Sequence, residues 1–180
     1  MTRFCVLTIG KTHSGKSTFA RSLEQMCQNC IVIDQDQQAQ FLYDSYSKLI
    51  PNNGENTIKY KLTETLVQYA VDHTKFHIVL CNSNLNEFNR NRLIQRFNNS
   101  GFHIIIVKFD LPIEILESRI NEARRDTSIL RTVQTFKDVL NSQKDYQLKK
   151  SVEHAYKEFY VTNEIQVDSV LSELKNLLNG

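Results

Sequence analysis

Nine consecutive residues carry the strongest chemical signal in the sequence: Gly10-Lys11-Thr12-His13-Ser14-Gly15-Lys16-Ser17-Thr18. Their spacing fits G-x-x-x-x-G-K-[ST], a phosphate-binding loop (P-loop, or Walker A motif). Gly10 and Gly15 let the backbone turn with its N–H groups pointing inward, which makes a nest for phosphate oxygens. A helix starting on the loop adds unsatisfied N–H groups and the positive end of its dipole. Lys16 then reaches the β- and γ-phosphates of a nucleoside triphosphate, and the Ser17 hydroxyl holds Mg²⁺. The bland alternative is a strand-turn-helix with a chance Gly-Lys-Ser, and composition argues against it. At a usage of about 7% the chain would hold roughly 13 glycines. It has 5, and two of them stand at the positions that the loop requires.

Two further groups of residues suit phosphoryl transfer. A second apolar run ends in Ile33-Asp34-Gln35-Asp36. In an open α/β sheet, ligands bind beyond the carboxyl ends of the strands. A carboxylate there can take a proton from an acceptor hydroxyl or help hold Mg²⁺. Either aspartate can instead cap the helix starting near Gln37. Later in the chain come Arg119, Arg124, Arg125 and Arg131. Phosphoryl transfer spreads negative charge over the moving group, so arginines that close over it are expected parts of such a site. Their alternative is a solvated basic helix face. The chain has no Asn-Lys-x-Asp base-recognition run and no Leu-Ser-Gly-Gly-Gln. The apolar strand that would end in Asp-Glu in a ring-forming ATPase runs into Asn82-Ser83. A small phosphotransferase is left, rather than a switch, transporter or motor.

These residues need elements to position them. Five short apolar runs stand out: Phe4 to Ile9, Cys30 to Ile33, His77 to Cys81, Phe102 to Phe109 and Phe159 to Val161. The first, third and fourth are nearly continuous, as in parallel strands covered on both faces. Helical stripes lie between and after them. One carries Ile58, Leu62, Leu66, Tyr69 and His73; another Ile113, Leu116, Ile120 and Ala123; a third Val133, Phe136 and Leu140. The last carries Val167, Val170, Leu171, Leu174 and Leu178, a packing helix whose stripe could also serve a dimer. Alternation of this kind predicts βαβ units in a three-layer α/β fold, with helices on both faces of one sheet. With no linker or repeat to divide it, the chain reads as one domain over 1–180.

Hydrophobic residues make up 41% and charged residues 23%, and the formal net charge is +2. Those values fit an ordinary globular chain with no strong field toward nucleic acid or membrane. No run approaches the roughly 20 apolar residues of a membrane span, and the short apolar N-terminus lacks a signal-peptide cleavage site. A cytoplasmic location is expected. Cys5 and Cys81 sit in apolar runs, and Cys27-x-x-Cys30 has no second ligand pair at zinc spacing. His73, His77, His103 and His154 have no ligand-like spacing either.

Taken in order, these motifs resemble the polynucleotide 5′-hydroxyl kinase family of P-loop kinases. The resemblance spans roughly residues 3 to 145. It rests on the P-loop after Leu7-Thr8-Ile9, on Asp36, on Asn82 to Asn86 with Arg90, and on Phe109-Asp110-Leu111-Pro112 leading to the later arginines. It implies a five-stranded parallel sheet in the order 2-3-1-4-5 and ATP with Mg²⁺ as cofactors. It makes Asp36 the general base toward a 5′-hydroxyl, and places Arg119 or Arg124 in a lid over the phosphates. The chain departs from the pattern at Ala39, where the family usually has an arginine for the acceptor's 3′-phosphate. It departs again at Asn82, where the family commonly has Asp, and in the five-residue step from Arg119 to Arg124. A small metabolite, nucleoside or antibiotic as acceptor, or nucleotide binding without turnover, are the other readings.

Overall fold

The protein is described by a computed structural model covering residues 2–123, 127, 130, 135–148 and 151–179. The strands are β1 (Arg3–Gly10), β2 (Cys30–Ile33), β3 (His77–Leu80), β4 (Phe102–Phe109) and β5 (Lys157–Val161). Between them lie α1 (Lys16–Met26), α2 (Gln35–Tyr46), α3 (Thr57–His73), α4 (Glu87–Asn99), α5 (Ile113–Glu122) and α6 (Phe136–Ser142), and α7 (Ile165–Asn179) follows β5. All strand pairs are parallel, in the order β2-β3-β1-β4-β5. That is the expected 2-3-1-4-5 sheet.

The strands β1 to β4 divide their side chains between two cores, because successive residues point to opposite faces. On one face Phe4 and Val6 of β1 meet Phe19 and Leu23 of α1 and Leu171, Leu174 and Leu178 of α7. On the other, Cys5, Leu7 and Ile9 meet Val67 and Ala70 of α3 and Ile94 and Phe97 of α4. The stripe of the last helix is therefore spent on the core.

The stripe expected on α3 is not its buried face. Leu66 and Tyr69 are exposed, while Thr63, Val67 and Ala70 point inward. The Thr63 hydroxyl on that inward face is satisfied by the Lys59 carbonyl at 2.8 Å. The continuous apolar run of β4 also contains Lys108, which is only 1% exposed. Its ammonium pairs with Glu158 at 2.5 Å and donates to the Tyr160 hydroxyl at 3.1 Å, as a buried cation must be paired.

His77 ties the sheet to the C-terminal helix. Its Nδ1 accepts from the Phe4 N–H at 3.1 Å, so Nε2 carries the proton and donates to the Leu178 carbonyl at 2.9 Å. Burial holds its pKa below the ordinary 6.5. The folded state thus keeps His77 neutral where the unfolded chain takes up a proton. Its contribution is complete above about pH 6.5 and is lost as pH falls from there toward the folded-state pKa. We expect the melting temperature to decline as pH is lowered through this range, and the decline to be shallower in His77→Gln.

Candidate active site

β1 delivers the chain to the loop, and the loop's two glycines are required for different reasons. A Cβ on Gly10 would lie 2.8 Å from the Phe109 carbonyl oxygen and 2.9 Å from Ser14 Oγ. Gly15 caps α1 with φ 93°, a left-handed conformation that disfavours any other residue. His13 is also left-handed, at φ 57°. α1 begins at Lys16, so its first N–H groups open onto the loop. The Lys16 ammonium folds back onto the Lys11 carbonyl at 2.6 Å and Ser14 Oγ at 3.1 Å.

The two aspartates after β2 divide. Asp34 is buried at 3% exposure and does two things. One carboxylate oxygen accepts from the Ser17 hydroxyl at 2.9 Å, and the other caps α2 by accepting from the Asp36 N–H at 3.0 Å. Capping and a place beside Ser17 are thus the same residue's work. Asp36 stands in the first turn of α2, exposed, on the wall of a cavity of about 900 Å³, within the usual size of ligand pockets. Ser17 and Asp34 bring a hydroxyl and a carboxylate together, hard oxygen donors that fit Mg²⁺. Cys81 lies below them, its Sγ 3.5 Å from Ser17 Oγ. Burial first, and then the charge of Asp34, push the thiol up to about 11, so it stays protonated.

The same cavity is lined by Thr12 to Thr18, by Asn82, by Lys59 and Tyr60 of α3, and by Arg119. Gly10 and Lys11 stand where the loop leaves β1. Arg119 reaches the loop from the last turn of α5, donating to the His13 carbonyl at 3.1 Å and pairing with Glu164 at 2.6 Å. Lys16, Asp36 and Arg119, far apart in sequence, therefore share one space. Arg124, Arg125 and Arg131 lie outside the described residues. Tyr60 has its phenol pKa raised, by burial first and then by Glu55 and Asp36.

The stretch after β3 braces the site. Asn82 Oδ1 accepts from the Gln35 N–H at 3.2 Å, and Asn84 donates to the Thr8 carbonyl at 2.8 Å. Arg90 is buried and spends one guanidinium nitrogen on the carbonyls of Asn84 and Leu85, at 2.8 and 3.1 Å. It is not among the residues that line the cavity. Ala39 is buried on the inner face of α2, at 2% exposure. Sequence reasoning missed Gln143, Glu164, Lys59 and Tyr60 as cavity residues. Outside the loop, Asp34, Asp36, Asn82 and Arg119 are the site residues that the sequence did mark.

Comparison with known proteins agrees with this architecture. The model of the AAA_33 family, described as an AAA domain, matches residues 5–147. Among solved structures, a candidate kinase from Chloroflexus aurantiacus superposes with a TM-score of 0.70 at 12% identity, covering 98% of each chain. Kti12 from Chaetomium thermophilum in complex with ADP-AlF3 gives 0.67 at 15% identity, covering 98% of this chain and 100% of that one. The Mycobacterium tuberculosis APS kinase CysC, in complex with AMPPNP and APS, gives 0.61 at 15% identity over 99% of each chain. No curated protein sequence matches. No helix among the described residues is long and apolar enough to cross a membrane. With sheet order, loop geometry and a family match in agreement, the chain belongs to the AAA_33 family of AAA domains and has the fold of a P-loop kinase.

Proposed function

We propose that the protein is an ATP- and Mg²⁺-dependent kinase that moves the γ-phosphoryl group to an acceptor hydroxyl. One observation carries the reading: Asp34 holds Ser17 at 2.9 Å, while Asp36, two residues on, faces the cavity that Lys16 and Arg119 also line. The nucleotides in the Kti12 and APS kinase complexes support an ATP-type ligand. Loop N–H groups and the α1 N-terminus bind the phosphates, and Lys16 turns from the Lys11 carbonyl to the β- and γ-oxygens. Ser17, with Asp34 behind it, would hold Mg²⁺, which neutralises phosphate charge when bound. Asp36 takes the proton of the acceptor hydroxyl as its oxygen bonds to the γ-phosphorus. The bond to the bridging oxygen breaks and ADP leaves, while Arg119 balances charge on the transferring group.

The resemblance names the 5′-hydroxyl of a polynucleotide as acceptor. Asp36 and the cation Lys59, which line the same cavity, support that reading. A small alcohol is the second reading, favoured by Ala39 being turned into the core and by Glu55 in the cavity lining. Incubation with γ-labelled ATP separates them. Label on 5′-hydroxyl oligonucleotides supports the first, and label only on sugars, nucleosides or aminoglycosides supports the second. Nucleotide binding without transfer to any acceptor would leave a binding module and overturn the kinase reading.

A further inference from the structure

The tip of the phosphate loop is held from outside by α6 and the turn after it. Phe136 sets its ring edge-on to His13, with centroids 4.9 Å apart. Leu140, fully buried, anchors the helix against Leu111 and Leu116. The Lys144 carbonyl accepts from Lys11 Nζ at 3.4 Å. Between these contacts, Gln143 Oε1 accepts from the Thr12 N–H at 2.7 Å, across 131 residues of chain.

Thr12 occupies a telling place. The carbonyl before it takes the Lys16 ammonium, and the carbonyl after it takes the Arg119 guanidinium. Both cations belong to the end of the site where the β- and γ-phosphates lie. A carboxamide has one acceptor oxygen and one NH₂ donor group. With the oxygen engaged on Thr12, the NH₂ is the group that remains to donate, and Gln143 lines the cavity.

We propose that Gln143 contacts the γ-phosphoryl group: its carboxamide, anchored on the Thr12 N–H, donates from its NH₂ to a γ-oxygen. This rests on the kinase reading for the position of the nucleotide. The contact is present with a triphosphate and absent with a diphosphate, so Gln143 discriminates between ATP and ADP. It needs no movement of the loop, because Thr12 holds the side chain in place beforehand.

Gln143→Glu tests the proposal by keeping the oxygen that Thr12 binds and replacing the donor with an anionic oxygen. Binding of Mg–ADP and Mg–AMPPNP is measured by calorimetry on the wild type, Gln143→Glu and Gln143→Ala. In Gln143→Glu we expect ADP affinity to stay within about two-fold and AMPPNP affinity to fall about ten-fold or more, the repulsion of two close anions at a partly buried site. Gln143→Ala should shift the same ratio in the same direction by less. An AMPPNP-to-ADP ratio equal to the wild type's in Gln143→Glu, or equal losses for both nucleotides, overturns the proposal and leaves Gln143 as a brace of the loop. A wild type that binds neither nucleotide overturns the kinase reading instead.

Discussion

Asp36→Asn is expected to bind Mg–ATP as the wild type does and to lose about 10²- to 10⁴-fold in phosphoryl transfer, the usual contribution of a positioned general base. The substitution keeps size and polarity while removing the negative charge and, with it, the ability to take a proton. Asp36 is exposed in the first turn of α2, and its backbone N–H, which Asp34 uses, is unchanged. A melting curve checks that the fold is intact. Asp34→Asn is the informative contrast. That residue is buried against Ser17 and caps α2, so its loss should raise the Mg²⁺ concentration needed for half-maximal activity and lower the melting temperature. Single-turnover transfer and Mg²⁺ titrations of the two variants check the pair. Full transfer by Asp36→Asn would remove it from the mechanism, and an unchanged Mg²⁺ requirement in Asp34→Asn would detach it from the metal.

On the proposed kinase reading, Lys16→Met is expected to reduce kcat/KM by about 10³-fold or more, because it deletes the cation that would stabilise charge on the transferring group. The protein should tolerate the change. Lys16 hydrogen-bonds to its own loop, at the Lys11 carbonyl and Ser14 Oγ, and its side chain is only partly buried. Calorimetry with ATP and a transfer assay check it, alongside a melting curve to show that the fold is intact. A Lys16→Met enzyme with wild-type turnover would contradict the assignment of the loop.

The order of strands was legible because strand signals are local, whereas no stripe was expected over α4. The continuous runs Phe4 to Ile9 and Phe102 to Phe109 are covered on both faces in the structure, as such runs predict. The stripe of α3 misled for a physical reason. Periodicity locates an apolar face, but burial follows whichever face meets the neighbouring surface, and here that face carries Thr63, Val67 and Ala70 rather than Leu66 and Tyr69. Lys108 was hidden for a related reason, since one cation in an apolar strand does not reveal that Glu158 lies beside it on the next strand.

The sequence by itself determined the phosphate loop, because its chemistry is backbone chemistry. Two glycines at set positions, a lysine and a serine make the nest wherever a strand feeds a helix. It also offered Asp34 and Asp36 after the same strand, with the family resemblance pointing to Asp36 as the base. The tertiary structure added what spacing does not carry, placing Asp34 under Ser17 and leaving Asp36 open to the cavity. It alone brought Arg119 to His13, across 106 residues, and Gln143 to Thr12, across 131. Contacts between side chains so distant leave no spacing to read: the return of the chain that joins them is set by packing of whole elements on the sheet.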